Sequence, residues 1–160
     1  MWFRRISLSA QMFDIAFIDD EPPYLDEEGW TGLGANIKLG DFSERFVAPI
    51  GLWQRVDYER QWIDGARRLI EGKRESAFVA EAGRLWWTAW RVGQQVLVQQ
   101  RLLVDDSMAR AWAADLQDLP YDLVGQRDTV SNDGEPLSEW KVTLPDLRAF
   151  VSRQPSPEAG

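Results

Sequence analysis

Residues 85–103 read LWWTAWRVGQQVLVQQRLL, and no other stretch restricts the fold as much. Gly93-Gln94 suits a two-residue turn with glycine at the first central position. That register sets Trp90 opposite Leu97 and Trp86 opposite Arg101 on one face. The other face receives Leu85 with Leu102, Trp87 with Gln100, and Ala89 with Val98. A four-residue turn would leave these pairs unchanged. Both faces are partly apolar, so the hairpin belongs inside a sheet, with a helix over one side and loops over the other. Trp86, Trp87 and Trp90 admit two uses: sheet core, or an aromatic platform for a sugar or a single nucleic-acid strand. Strand alternation favours the core.

The remaining periodicities supply partners for that hairpin. MFDIAFI (12–18) alternates, with Phe13, Ile15 and Phe17 on one face. ANIKLGD and FSERFVAPI read as two strands joined at Gly40-Asp41. VDYERQWIDGARRLIEG (56–72) is the clearest helix, with Tyr58, Trp62, Ala66 and Leu69 in one apolar stripe. Asp57 is placed to cap its start and Gly72 to end it. Gly65 inside it costs about 1 kcal/mol relative to alanine, which implies close approach of the helix to a sheet. SAFVAE (76–81) and LSEWKVTL (137–144) read as strands, and Asn132-Asp133-Gly134 as a turn. SMARAWAADLQ reads as a short helix capped by Ser107, and LPDLRAFVSR as a closing helix with Pro145 in its first turn. The expected fold is one α+β domain: a mostly antiparallel β-sheet, one long helix packed on it, and short C-terminal helices. Its expected limits are 12–150, with 1–11 as an N-terminal extension and 151–160 as a flexible tail.

The chain has no cysteine and no histidine. Disulfides, thiolate or imidazole zinc sites, cysteine nucleophiles and imidazole acid–base catalysis are therefore excluded. Carboxylate, lysine or tyrosine chemistry remains, as does a hard cation held by acids. No metal or other cofactor is expected. The net charge of −8 disfavours nucleic acid as a ligand and favours a cationic partner. Residues 1–50 hold nine acids against four bases, and 105–146 hold ten against three. Residues 51–104 reverse the balance, with six acids and nine bases. No apolar run approaches the length of a membrane span or a secretory signal, so a cytoplasmic protein is expected.

DDEPPYLDEEGWTGLG (19–34) reads as a loop with two prolines, three glycines and six acids. Its triplets, Asp19, Asp20, Glu21 and Asp26, Glu27, Glu28, do not follow the EF-hand calcium spacing. An acidic lip for a basic partner needs no such spacing. Trp30, Tyr24 and Leu25 among these acids resemble an aromatic anchor ringed by charge, though an ordinary solvated loop has the same composition. GLGANIKLG lacks the third glycine of a dinucleotide loop and opens no helix. Glu81 and Glu139 are candidate acid–base carboxylates, and Glu139 beside Trp140 suggests a raised pKa.

Five stretches in order carry a resemblance: MFDIAF, GDFSERF, DYERQWIDGARRLIEGKRESA, LWWTAWRVGQQVLVQQRLL and PLSEWKVTLPDLRAF. The chain resembles the immunity proteins of bacterial contact-dependent growth inhibition systems, over roughly residues 12–150. The most specific positions are Tyr58, Gln61 and Trp62, then Trp86 to Arg91 with Gly93, then Ser138, Glu139 and Trp140. The resemblance implies a small cytoplasmic α+β protein that binds the C-terminal toxin domain of a partner effector and blocks it without chemistry of its own. Many such toxins are nucleases, and a basic toxin bound one to one suits an acidic inhibitor. The expected toxin-binding residues are Asp19, Asp20, Glu21, Asp26, Glu27, Glu28, Asp105, Asp106, Asp115 and Asp118, with Tyr24 and Trp30 as anchors. The competing reading is a carboxylate enzyme, or a carbohydrate-binding module that uses the tryptophan-rich hairpin.

Overall fold

The computed structural model describes residues 12–82, 84–102 and 121–155. A first antiparallel sheet holds β1 (Phe13–Phe17), β2 (Tyr24–Leu25), β3 (Thr31–Leu39) and β4 (Phe42–Ile50). β1 and β2 both pair with β3, and β4 pairs with β3 along its length. A second antiparallel sheet runs in the order β5 (Glu75–Glu81), β6 (Leu85–Val92), β7 (Gln95–Leu102), β8 (Trp140–Thr143). Helix α1 (Arg55–Ile70) joins the two sheets, and α2 (Leu144–Arg153) follows β8 directly. The α+β class and the antiparallel pairing agree with expectation, but the one expected sheet is two.

The hairpin registers follow from their turns. Gly40 and Gly93 both have φ of 64°, which places glycine at the first central position of each two-residue turn. All five cross-strand pairs expected for residues 85–102 occur. Trp86, Trp87 and Trp90 are buried, so the three tryptophans are core and offer no platform for a sugar. Trp87 packs against Trp140 and Phe42, with ring centroids 5.6 and 6.4 Å away. Phe42 stands at the tip of β3–β4, so that tip seals this face of the second sheet. The opposite face is closed by the segment after the 3₁₀ turn Tyr121–Leu123. There Trp90 Nε1 donates to Gly125 O (3.0 Å), and Gln99 Nε2 donates to Asp128 O (2.7 Å).

Helix α1 starts at Arg55, one residue before the expected 56, and its cap is not the expected Asp57. Gln54 is its N-cap, and Asp57 is the third residue of a capping box, with its carboxylate accepting from Gln54 N at 2.8 Å. Gly72, at φ 107°, ends it: Gly72 N reaches Leu69 O and Lys73 N reaches Arg68 O. The expected apolar stripe is buried, and Trp62 meets Phe17 at 5.0 Å. The same helix closes the outer edge of β5. Gln61 donates to Ala77 O and accepts from Val79 N, both at 2.7 Å. Trp62 Nε1 donates to Val79 O (2.8 Å), and Ser76 Oγ donates to Gly65 O (2.7 Å). Side chains thus replace a neighbouring strand on an edge that would otherwise be open. Helix α2 begins at a Thr143/Asp146 capping box with Pro145 in its first turn, and Phe150 packs edge-on against Phe13 at 5.0 Å. The expected helix after Ser107 lies outside the described residues.

Candidate functional site

The acidic stretch is more ordered than its composition suggests. Thr31–Gly34, expected as loop, is the start of β3. A Cβ on Gly32 would lie 2.4 Å from Cγ1 of the branched Val47, and one on Gly34 would push aside the Glu21 carboxylate, 2.7 Å away. Tyr24 and Leu25 pair with Gly32 and Thr31. The ribbon turns through residues 26–30, where Asp26 Oδ1 accepts from Glu28 N (3.0 Å) and Trp30 N (2.8 Å). Gly29, with φ 86°, completes that turn.

This geometry sorts the six acids of the loop. Asp19 holds Arg55 at 2.6 Å, and Arg55 in turn lies 5.1 Å above the Phe17 ring. Glu21 is clasped by the Arg45 guanidinium, and that hydrogen bond holds its carboxyl below the usual carboxylate range. Asp26 shapes the turn. Asp20, Glu27 and Glu28 are exposed and form no ion pair with any described residue. Three acids are therefore structural, and three are available to a partner. Asp105, Asp106, Asp115 and Asp118 lie outside the described residues.

Both expected anchors are on the surface. Tyr24 is 56% exposed and Trp30 is 54% exposed, with Leu25 beside them at 68%. The Trp30 ring extends over Gly51, to which an added Cβ would come within 3.7 Å. Trp30 also lines an open groove of ≈ 310 Å³, together with Pro49, Ile50 and Leu52 at and just after the end of β4 and with Glu81, Ala82 and Arg84 at the β5–β6 connection. Leu52 is itself 61% exposed. Of the groove's lining residues other than Trp30 and Asp26, the sequence reading singled out Glu81 alone, as an acid–base candidate, and the rest escaped it. Their only signal was Leu52 beside Gly51, an apolar residue between a strand and a helix start.

The acid–base pair does not form a common site. Glu81 lies 3.7 Å from Arg84. Glu139 accepts from Arg127 at 2.6 Å and from Gln99 at 2.8 Å. Arg127 lowers the Glu139 pKa, contrary to the expected rise, because a cation faces the carboxylate and outweighs partial burial. Among the described residues, no group of three or more acids converges as a metal site. The two buried tyrosines are held protonated: burial pushes Tyr58 up to about 12 and raises Tyr121, whose hydroxyl donates to Asp64 at 2.6 Å. No described helix is long and apolar enough to cross a membrane.

Residues 48–150 match the family model of the CdiI N-terminal domain. No curated protein matches the chain. The fold is similar to a solved chain of the CdiA-CT/CdiI toxin and immunity complex from Enterobacter cloacae, with a TM-score of 0.70 at 20% identity. That alignment covers 88% of this chain and 97% of the other. The family match takes in α1, β5 to β8 and α2, the hydrogen-bonded scaffold described above, while the acidic ribbon lies before it. With its matched region spanning well over half its length, this chain belongs to the CdiI family, the immunity proteins of contact-dependent growth inhibition.

Proposed function

We propose that this chain binds the toxin domain of the effector made alongside it and blocks that domain by one-to-one occlusion in the cytoplasm. It performs no reaction in doing so and needs no cofactor. Residues 12–150 act as a single inhibitory domain. The observation that carries this reading is the β2–β3 ribbon, which displays Tyr24 and Trp30 beside Glu27 and Glu28, carboxylates with no ion-pair partner among the described residues. Exposed aromatics are costly to leave in water and dominate binding energy when a partner covers them. The partner's face is basic, since the chain carries −8 overall. A nuclease suits this best, because its phosphate-binding surface is basic by necessity and an acidic ribbon can occupy it.

The acidic ribbon lies outside the family-matched segment, which supports a division of labour. The shared scaffold holds the fold, and the ribbon selects the cognate toxin. The test is a combined Asp20→Lys, Glu27→Lys, Glu28→Lys variant, assayed by stopped-flow association with the toxin domain. Its association rate should fall on the order of 10-fold or more at low salt, and the gap should narrow as salt rises. An unchanged rate at low salt would place the binding face elsewhere.

A further inference from the structure

We infer that the groove beside Trp30 receives one arginine side chain of the toxin domain. This rests on the inhibitory reading above and names the contact that anchors it. The groove is built for a group that is apolar along its length and cationic at its end. Val47, Pro49, Ile50 and Leu52 supply its apolar lining, and the exposed Trp30 ring lines it too. Two acids, Asp26 from the ribbon and Glu81 from the end of β5, also line it.

Neither carboxylate is fully engaged by the described residues. Asp26 uses Oδ1 for the backbone of its turn. Glu81 has Arg84 at 3.7 Å, beyond a good charge-assisted hydrogen bond, and the Arg84 side chain is 75% exposed. An incoming guanidinium can displace Arg84 from Glu81 at small cost, since such exposed pairs contribute little. A purely apolar occupant would strip water from both acids and give them nothing in return. A lysine would meet the acids but, being more strongly hydrated, would stack less well on Trp30. Arginine satisfies the stem, the ring and the carboxylates together. Pro49, Ile50, Glu81 and Arg84 fall within the family-matched residues, whereas Asp26 and Trp30 precede them. The groove therefore joins the scaffold to the chain's own acidic ribbon.

Two measurements on the full chain decide this. In the first, Trp30→Ala, Glu81→Gln and the groove-filling Ala82→Phe are titrated with the toxin domain by calorimetry, alongside Val92→Ala, an exposed residue at the β6–β7 turn. Each variant's thermal melt serves as its folding control. Trp30→Ala and Ala82→Phe should weaken binding about 30-fold or more, Glu81→Gln by a smaller factor, and Val92→Ala not at all. Wild-type affinity in all three groove variants would overturn the inference and leave the proposed function standing. In the second, N-acetyl-arginine amide and its citrulline counterpart are titrated into the isotope-labelled chain. Arginine alone should shift the Trp30 indole N–H and the Gly51 and Ala82 amides, with millimolar affinity. If no toxin domain binds, the proposed function fails, and this titration judges the groove by itself. Equal shifts with both amides, or none, would overturn it.

Discussion

Gly65→Ala is predicted to destabilise the protein, although helix propensity alone says the reverse. In a solvated helix, alanine is favoured over glycine by about 1 kcal/mol. Gly65 instead faces β5. A Cβ there would sit 2.4 Å from Ala77 O, 3.2 Å from a Phe78 ring carbon and 3.3 Å from Gln61 Nε2. The first neighbour is a backbone carbonyl of β5, a strand held in place by its pairing with β6, and cannot swing aside. Helix α1 must move away from β5, which lengthens the bonds of Gln61 to Ala77 and Val79, of Trp62 to Val79 and of Ser76 to Gly65. Each contributes about 1 kcal/mol net, and losing about three of them offsets the propensity gain with about 2 kcal/mol to spare. For a chain of this size that lowers Tm by about 4–8 °C. Urea unfolding followed by tryptophan fluorescence should show a lower midpoint at unchanged slope. A variant more stable than the parent would refute the close-approach account of this glycine.

Gln61→Leu should cost about 2–4 kcal/mol, because Ala77 O and Val79 N are left buried without partners; chemical denaturation measures it, and a neutral result would mean that water replaces the amide. Glu139→Gln should weaken stability at neutral pH and make no difference in strong acid. The Glu139 carboxyl is held below its usual 4.5 in the fold, so its contribution is present above that value and disappears as pH falls through the lowered one. Unfolding curves of the parent and the variant should therefore converge as the pH drops, and parallel curves at every pH would show that the Arg127 pair contributes nothing. Asp146→Ala removes half of the capping box at Thr143 and should cost about 1 kcal/mol, read as a lower Tm.

How much of this was legible in the sequence depends on the range of the interactions involved. The 85–102 hairpin could be read to the residue, because a glycine turn and a period of two are local signals. The stripe on α1 and the tight fit at Gly65 were legible for the same reason. The division into two sheets was not, since it depends on the β3–β4 tip reaching Trp140 and Trp87 across the molecule, where Phe42 stacks on Trp140 at 4.3 Å. The start of β3 was hidden by Gly32 and Gly34, which break the alternation; at Gly32 the Val47 side chain takes the space a Cβ would fill. At the site, Tyr24 and Trp30 stood out as aromatics among acids. That Asp19, Glu21 and Asp26 are already engaged could not be seen, because two of their partners, Arg55 and Arg45, are more than twenty positions away. The groove was invisible for a like reason: its walls come from β4, the ribbon and the β5–β6 connection.

The proposed function has this CdiI-family chain meet a basic toxin domain with its acidic, aromatic-bearing face. Its most direct measurement is calorimetry of the chain with the toxin domain encoded beside it, repeated across a salt series. Binding should be tight and one-to-one and should weaken steadily as salt rises. Absence of binding at any salt concentration would contradict the proposal.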